Sequence, residues 1–214
     1  MYVVPVVSGM TRSELALRLH EFVASSDAVF RAALRRMAER LPRHALVFRD
    51  EPDADPPSTT LRGMTLSKQM VFLHRMDFAA ANLPQKRYLE AIRICLKDDA
   101  VFTDRVVKAA LDYMSGTFLA AAGHASATLP LAYMRTIILT CSRHESLHSW
   151  ICQTLLPRLV EGGVYSDRRQ WEGWMSSAKM LEHTGNASVS SLRAIQTLPD
   201  EQLRMYRAKY PRRN

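Results

Sequence analysis

The sequence predicts an all-α protein, an α-α superhelix of HEAT-like antiparallel helix pairs with about ten helices. Three observations point there. Apolar residues recur at intervals of three and four instead of alternating, which is the helical period. Gly and Pro number only 8 and 10, too few to punctuate many short strands. Pro84, Pro130 and Pro199 each follow a leucine and stand just ahead of an apolar stripe, as expected at a first helical position, where the missing N–H is no loss.

Taken in order, the first helix carries Leu15, Leu19 and Phe22 and opens on Thr11-Arg12-Ser13-Glu14. There a hydroxyl can cap an amide of the first turn while the glutamate reaches back. The second helix carries Phe30, Leu34, Met37 and Leu41. Residues 49–63, RDEPDADPPSTTLRG, hold four acids and three prolines without periodicity and read as a flexible acidic loop. Beyond it the stripes resume: Leu66, Met70 and Leu73; Leu89, Ile92 and Leu96; Val107, Leu111, Met114 and Phe118; Leu131, Met134, Ile138 and Cys141. Four more follow: Leu147, Ile151 and Leu155; Trp171, Trp174, Ala178 and Leu181; Val189, Leu192 and Ile195; Leu203 and Tyr206. If Thr65, Thr103, Arg143 and Ser188 open successive helix pairs, the separations are 38, 40 and 45 residues, close to the spacing of roughly 40–47 in HEAT-type arrays.

At 214 residues the chain reads as one domain, 1–214, with a basic tail over 207–214, and it is long enough to bury a core without staples. A hydrophobic fraction of 47% with 23% charged residues argues against disorder. Lys and Arg number 29 against 21 Asp and Glu, a net charge of +8 that favours acidic partners. The odd cysteine count, Cys95, Cys141 and Cys152, excludes a paired disulfide framework and suggests a reducing compartment. The apolar start Tyr2 to Val7 is broken by Pro5 and is far shorter than the roughly 20 residues of a bilayer span. The expected location is therefore cytoplasm or nucleus.

The sharpest motif is His144-Glu145-Ser146-Leu147-His148, an H-E-x-x-H. On a helix it sets two imidazoles one turn apart for zinc, with the glutamate as general base, and would make the chain a zinc hydrolase. A third ligand is needed. The metzincin continuation fails at Ile151 and Thr154, and Glu172, Glu182 and His183 are not singled out by spacing. A structural account competes, in which Ser142-Arg143-His144-Glu145 forms a capping box and leaves two mostly exposed histidines. With no strands to line a cleft and no serine or cysteine beside a base, the reading adopted assigns no enzyme activity, catalytic residue, metal or cofactor.

Arg31, Arg35, Arg36, Arg40 and Arg43 form a basic cluster that could meet RNA phosphates or an acidic partner. Arg204, Arg207, Lys209, Arg212 and Arg213 form another, in the tail. No aromatic pattern interleaves with them, so an RNA-binding helical repeat is the alternative and not the first reading. Trp171 and Trp174, beside Arg168 and Arg169, lie on one side of a helix starting at Ser166-Asp167. Core packing is the default for such a pair. The spacing also suits a partner contact anchored by tryptophan, and Trp174 or the adjoining face is the expected site. The methionines, 11 in all, supply adaptable packing.

The run Leu129-Pro130-Leu131-Ala132-Tyr133-Met134-Arg135-Thr136-Ile137-Ile138 is followed by Leu155 to Leu159, Trp171-Glu172-Gly173-Trp174 and Leu198-Pro199-Asp200-Glu201-Gln202-Leu203. Together with Leu73-His74-Arg75-Met76-Asp77 upstream, their joint order resembles the C-terminal domain of symplekin over roughly Leu61 to Leu203. His144 to His148 departs from that pattern. The resemblance implies a helical-repeat scaffold in the nuclear machinery that cleaves and polyadenylates pre-mRNA 3′ ends. It further implies engagement of the C-terminal regions of the endonuclease subunit and of its inactive metallo-β-lactamase paralogue, the cut being made by the partner. Symplekins are much longer, so the chain is expected to be a fragment or a short relative. Asp77 and Arg135, each among apolar residues near a helix end, are expected to pair and fix neighbouring repeats.

Overall fold

The computed structural model describes residues 12–39, 65–121, 128–182 and 194–211. Among these residues the regular structure is all helical, as the periodicity requires. Ten helices are delimited: α1 (Arg12–Ala24), α2 (Asp27–Glu39), α3 (Leu66–Arg75), α4 (Gln85–Lys97), α5 (Asp104–Ala120), α6 (Tyr133–Cys141), α7 (His148–Trp150), α8 (Leu156–Glu161), α9 (Arg168–Glu182) and α10 (Asp200–Lys209). None of the described helices is long and apolar enough to cross a membrane. The acidic loop at 49–63, Thr11, Leu41, and the helix expected around Ser188, Val189 and Leu192 lie outside the described residues.

The chain, read from its sequence as one domain, forms two compact units, Met1–Ala110 and Leu111–Asn214, divided within α5. In the first unit α4 packs against α1, α2 and α3. Its inward face is Tyr88, Ala91, Ile92, Ile94, Cys95 and Leu96. The expected stripes meet it there: Leu19 and Phe22 of α1, Phe30, Leu34 and Met37 of α2, and Leu66, Met70 and Leu73 of α3 are all buried. Each such side chain contributes about 1.5–3 kcal/mol through removal from water.

Capping and turns follow local chemistry. Thr65 caps α3, its hydroxyl accepting from the Lys68 N–H at 3.3 Å. The tight α1–α2 turn is held from outside by Arg87, whose guanidinium donates to the carbonyls of Val23 (2.5 Å) and Ser25 (2.7 Å) and pairs with Asp27. Arg35 pairs with Asp98, the residue capping the end of α4, at 3.1 Å. Two buried polar groups are satisfied at α3, one within the helix and one across to α4. His74 Nδ1 donates to the Met70 carbonyl at 2.7 Å, and the Tyr88 hydroxyl donates to the His74 carbonyl at 3.1 Å. Burial lowers the His74 pKa to about 4 against the Met70 hydrogen bond, so the ring is neutral at pH 7.

In the second unit α6 packs extensively against α9, and Gly173 allows a close approach there. A Cβ there would stand 2.5 Å from Met134 Cβ, so only glycine lets the two backbones approach this far. Gly162 plays a similar part at the end of α8, where a Cβ would strike the Phe118 ring. The second half of α5 buries Leu111, Met114, Ser115 and Phe118. Pro157 has no N–H to close an α-turn on residue 153, and the chain answers with a π turn at Ile151–Leu155 in which the Leu156 N–H bonds Ile151 O, five residues back. Ile151, Cys152 and Leu155 are buried by it.

One sequence expectation is corrected here. Pro84 and Pro199 stand at the N-cap positions of α4 and α10, one residue before the first helical position, with φ near −59° and −56° and extended ψ. Part of the expected basic tail is regular helix, since Arg207 and Lys209 form the last turn of α10. Cations there complement the helix C-terminus.

Candidate functional site

The H-E-x-x-H motif does not lie on one helix. Ser142 closes α6, its hydroxyl donating back to Leu139 O at 2.8 Å, so it caps the preceding helix instead of opening a capping box. His144 is non-helical (φ −111°, ψ 72°), Glu145–Leu147 is a 3₁₀ turn, and α7 begins only at His148. The imidazoles are therefore not stacked one turn apart on a common face. Nor are they exposed, as the structural account expected: His144 is 4% and His148 8% accessible, while Glu145 is exposed. His148 Nε2 donates to the Cys141 carbonyl at 2.7 Å, which ties the turn back onto α6. Among the described residues no His, Cys, Asp or Glu cluster could hold a metal ion. Glu172 and Glu182, weighed as third ligands, pair with Arg168 and Lys179, and His183 lies outside the described residues.

The tryptophans are interior. Asp167 caps α9, accepting from the N–H groups of Arg169 (2.8 Å) and Gln170 (2.9 Å), where the sequence places the helix start. One turn later Trp171 and Trp174 stack with centroids 5.0 Å apart. Trp174 is fully buried, donates its indole N–H to Leu156 O at 3.0 Å and meets Tyr206 of α10 edge-on at 6.3 Å. Neither indole is on the surface, so of the expected contact only the adjoining face, with exposed Arg168 and Arg169, is presented to solvent.

The basic cluster of α2 is partly engaged in the fold. Arg31 is half-buried, Arg35 is paired with Asp98, Arg36 is exposed, and Arg40 and Arg43 lie outside the described residues. Asp77 and Arg135 fall in different units and both are exposed. Asp77 accepts from the N–H groups of Ala79 (3.1 Å) and Ala80 (2.9 Å), a local turn cap.

Arg135 instead belongs to a depression of about 280 Å³ between α6 and α9. Leu131, Met134 and Ile138 line it from the α6 side, and Arg169, Gln170 and Gly173 from α9. Leu131 is 40% exposed although the sequence pattern reads it as core. The buried residues of α6 are Tyr133, Met134, Thr136, Ile137, Thr140 and Cys141. Thr136 and Thr140 donate their hydroxyls to the Ala132 (3.1 Å) and Thr136 (2.8 Å) carbonyls, and the Tyr133 hydroxyl donates to Leu111 O at 3.0 Å. These bonds let polar residues face inward and turn part of the apolar stripe outward. Sequence reasoning missed this groove because its pattern counted Leu131 and Ile138 as interior, whereas of that stripe Met134 and Cys141 are the buried members.

No reactive thiol is exposed. Cys95, Cys141 and Cys152 are free and buried. Burial raises all three, Cys141 to about 12 and Cys152 to about 11, so they stay protonated at neutral pH.

Compared with known families, residues 1–210 match the family model described as "Symplekin tight junction protein C terminal". No solved structure matches the chain.

Proposed function

The chain belongs to the symplekin C-terminal family, and from that membership we propose that it is a non-catalytic scaffold of the nuclear pre-mRNA 3′-end cleavage and polyadenylation machinery. In this reading it holds the endonuclease subunit and that subunit's inactive metallo-β-lactamase paralogue through their C-terminal regions, and the partner cuts. The observation that carries it is the family match across residues 1–210. The physics of the chain supports it. Helices with buried, interlocked interiors keep their outer faces rigid, and a net charge of +8 steers acidic segments toward them.

RNA contact is secondary in this reading, because Trp171 and Trp174, which could have stacked on bases, are interior. The test is native recovery of the tagged full chain from nuclear extract. Both metallo-β-lactamase-type subunits are expected in the bound fraction. A folded chain that recovers neither overturns the proposal.

A further inference from the structure

The α6–α9 depression combines features that the fold itself does not use. Arg135 and Arg169 are exposed at it, and neither has an ion-pair partner among the described residues. Gln170, also lining it, is 9% accessible, and its side-chain oxygen has no hydrogen-bond partner among the described residues. A buried amide oxygen left unpaired is costly, and an incoming N–H relieves that cost. Leu131 and Ile138 add apolar surface, and Met134 lies against the bare backbone at Gly173.

The volume, about 280 Å³, is at the small end of ligand sites, room for an anchoring side chain and its neighbours and not for a nucleotide cofactor. Two arginines over an apolar strip call for a carboxylate beside an aliphatic or aromatic group. The peptide backbone supplies the N–H that Gln170 lacks. A second copy of this chain is a poor occupant, since it brings the same +8 charge. RNA is a poor one too, since the lining has no exposed aromatic face for a base.

We propose that the α6–α9 groove is the docking site for an acidic, apolar-anchored peptide segment of a partner protein, its carboxylate taken by Arg135 and Arg169 and a backbone N–H by Gln170. The proposal deepens the scaffold reading and rests on it for the partner's identity, though not for the chemistry.

The experiment has two arms, both with the full chain. In the first, a fluorescent library of 12-residue peptides with Glu or Asp flanking Leu or Phe is titrated against the wild type, against Arg135→Glu with Arg169→Glu, and against Leu131→Ser. Binding is expected for the acidic library and not for a Lys-substituted counterpart. The double variant should weaken it by about tenfold or more and bind the Lys counterpart instead, while Leu131→Ser weakens it less. The substituted residues are exposed, and circular dichroism checks that the variants fold. Equal binding by wild type and double variant, or displacement of the peptide by single-stranded RNA that the double variant still binds, overturns the proposal. In the second arm the double variant replaces the wild type in the nuclear recovery. Loss of the subunits supports the groove. Undiminished recovery rejects the groove while leaving the scaffold intact, and failure of the wild type to recover either subunit rejects the scaffold while the peptide arm still decides the groove.

Discussion

Two helix seams, α2–α4 in the first unit and α6–α9 in the second, use arginine in opposite ways. At the first, Arg35 and Arg87 both meet carboxylates, and Arg87 also donates to two main-chain carbonyls of the α1–α2 turn. At the second, Arg135 and Arg169 border an apolar groove and their guanidinium groups form no ion pair among the described residues. One residue type thus holds a turn together in one place and lies open in another. The distinguishing quantity is what each guanidinium faces, which a count of basic residues does not contain.

The comparison breaks most visibly if the interior of the second seam is loose. Trp174→Ala should destabilise the protein by about 3–5 kcal/mol, read by urea denaturation, because it empties a fully buried site and removes the indole N–H bond to Leu156 O. A near-neutral result would mean the indole does not fill the core. The first unit carries the next largest effect, in its pH dependence. His74, lowered to about 4 from 6.5, binds its proton in the unfolded chain before the folded one. Stability is therefore full above pH 6.5 and falls as pH drops toward 4, by about 3 kcal/mol at the low end. Denaturation at stepped pH should show this limb flattened in His74→Leu.

The contrast between the arginines is tested directly by truncation. Arg87→Ala should cost about 2–3 kcal/mol, because two carbonyls and Asp27 lose their donor. Gly173→Ala sharpens the account of the second seam, with a loss of about 1–3 kcal/mol as α6 is pushed off α9. Arg135→Ala and Arg169→Ala should each lie within about 0.5 kcal/mol of wild type in thermal melts. If they destabilise as much as Arg87→Ala, those side chains serve the fold, and the contrast disappears.

Much of the helical framework is legible in the order of residues. The stripes Leu66, Met70, Leu73 and Val107, Leu111, Met114, Phe118 are buried as their spacing requires, and Thr65 caps where a hydroxyl precedes a stripe. What escapes a hydropathy pattern has physical causes. Threonine counts as polar, yet Thr136 and Thr140 satisfy their hydroxyls on their own helix and go inward beside Met134 and Cys141, so the buried face of α6 is wider than its apolar stripe. The paired histidines suggest one helix, but the 3₁₀ turn Glu145–Leu147 separates them, and His148 is spent on Cys141 O. The groove depends on how near α9 comes to α6. Only Gly173 hints at that locally, and its role needs Met134, distant in the chain, to be seen.

The concealment of the native thiols has a practical yield. All three cysteines of the sequence are shut inside and protonated, so an engineered thiol on the surface, for instance Leu131→Cys or Arg169→Cys, would be the preferred target for maleimide dyes or spin labels. Spectroscopic reporters can thus be installed beside the groove, one position at a time, without first stripping the native sulfur atoms from the chain.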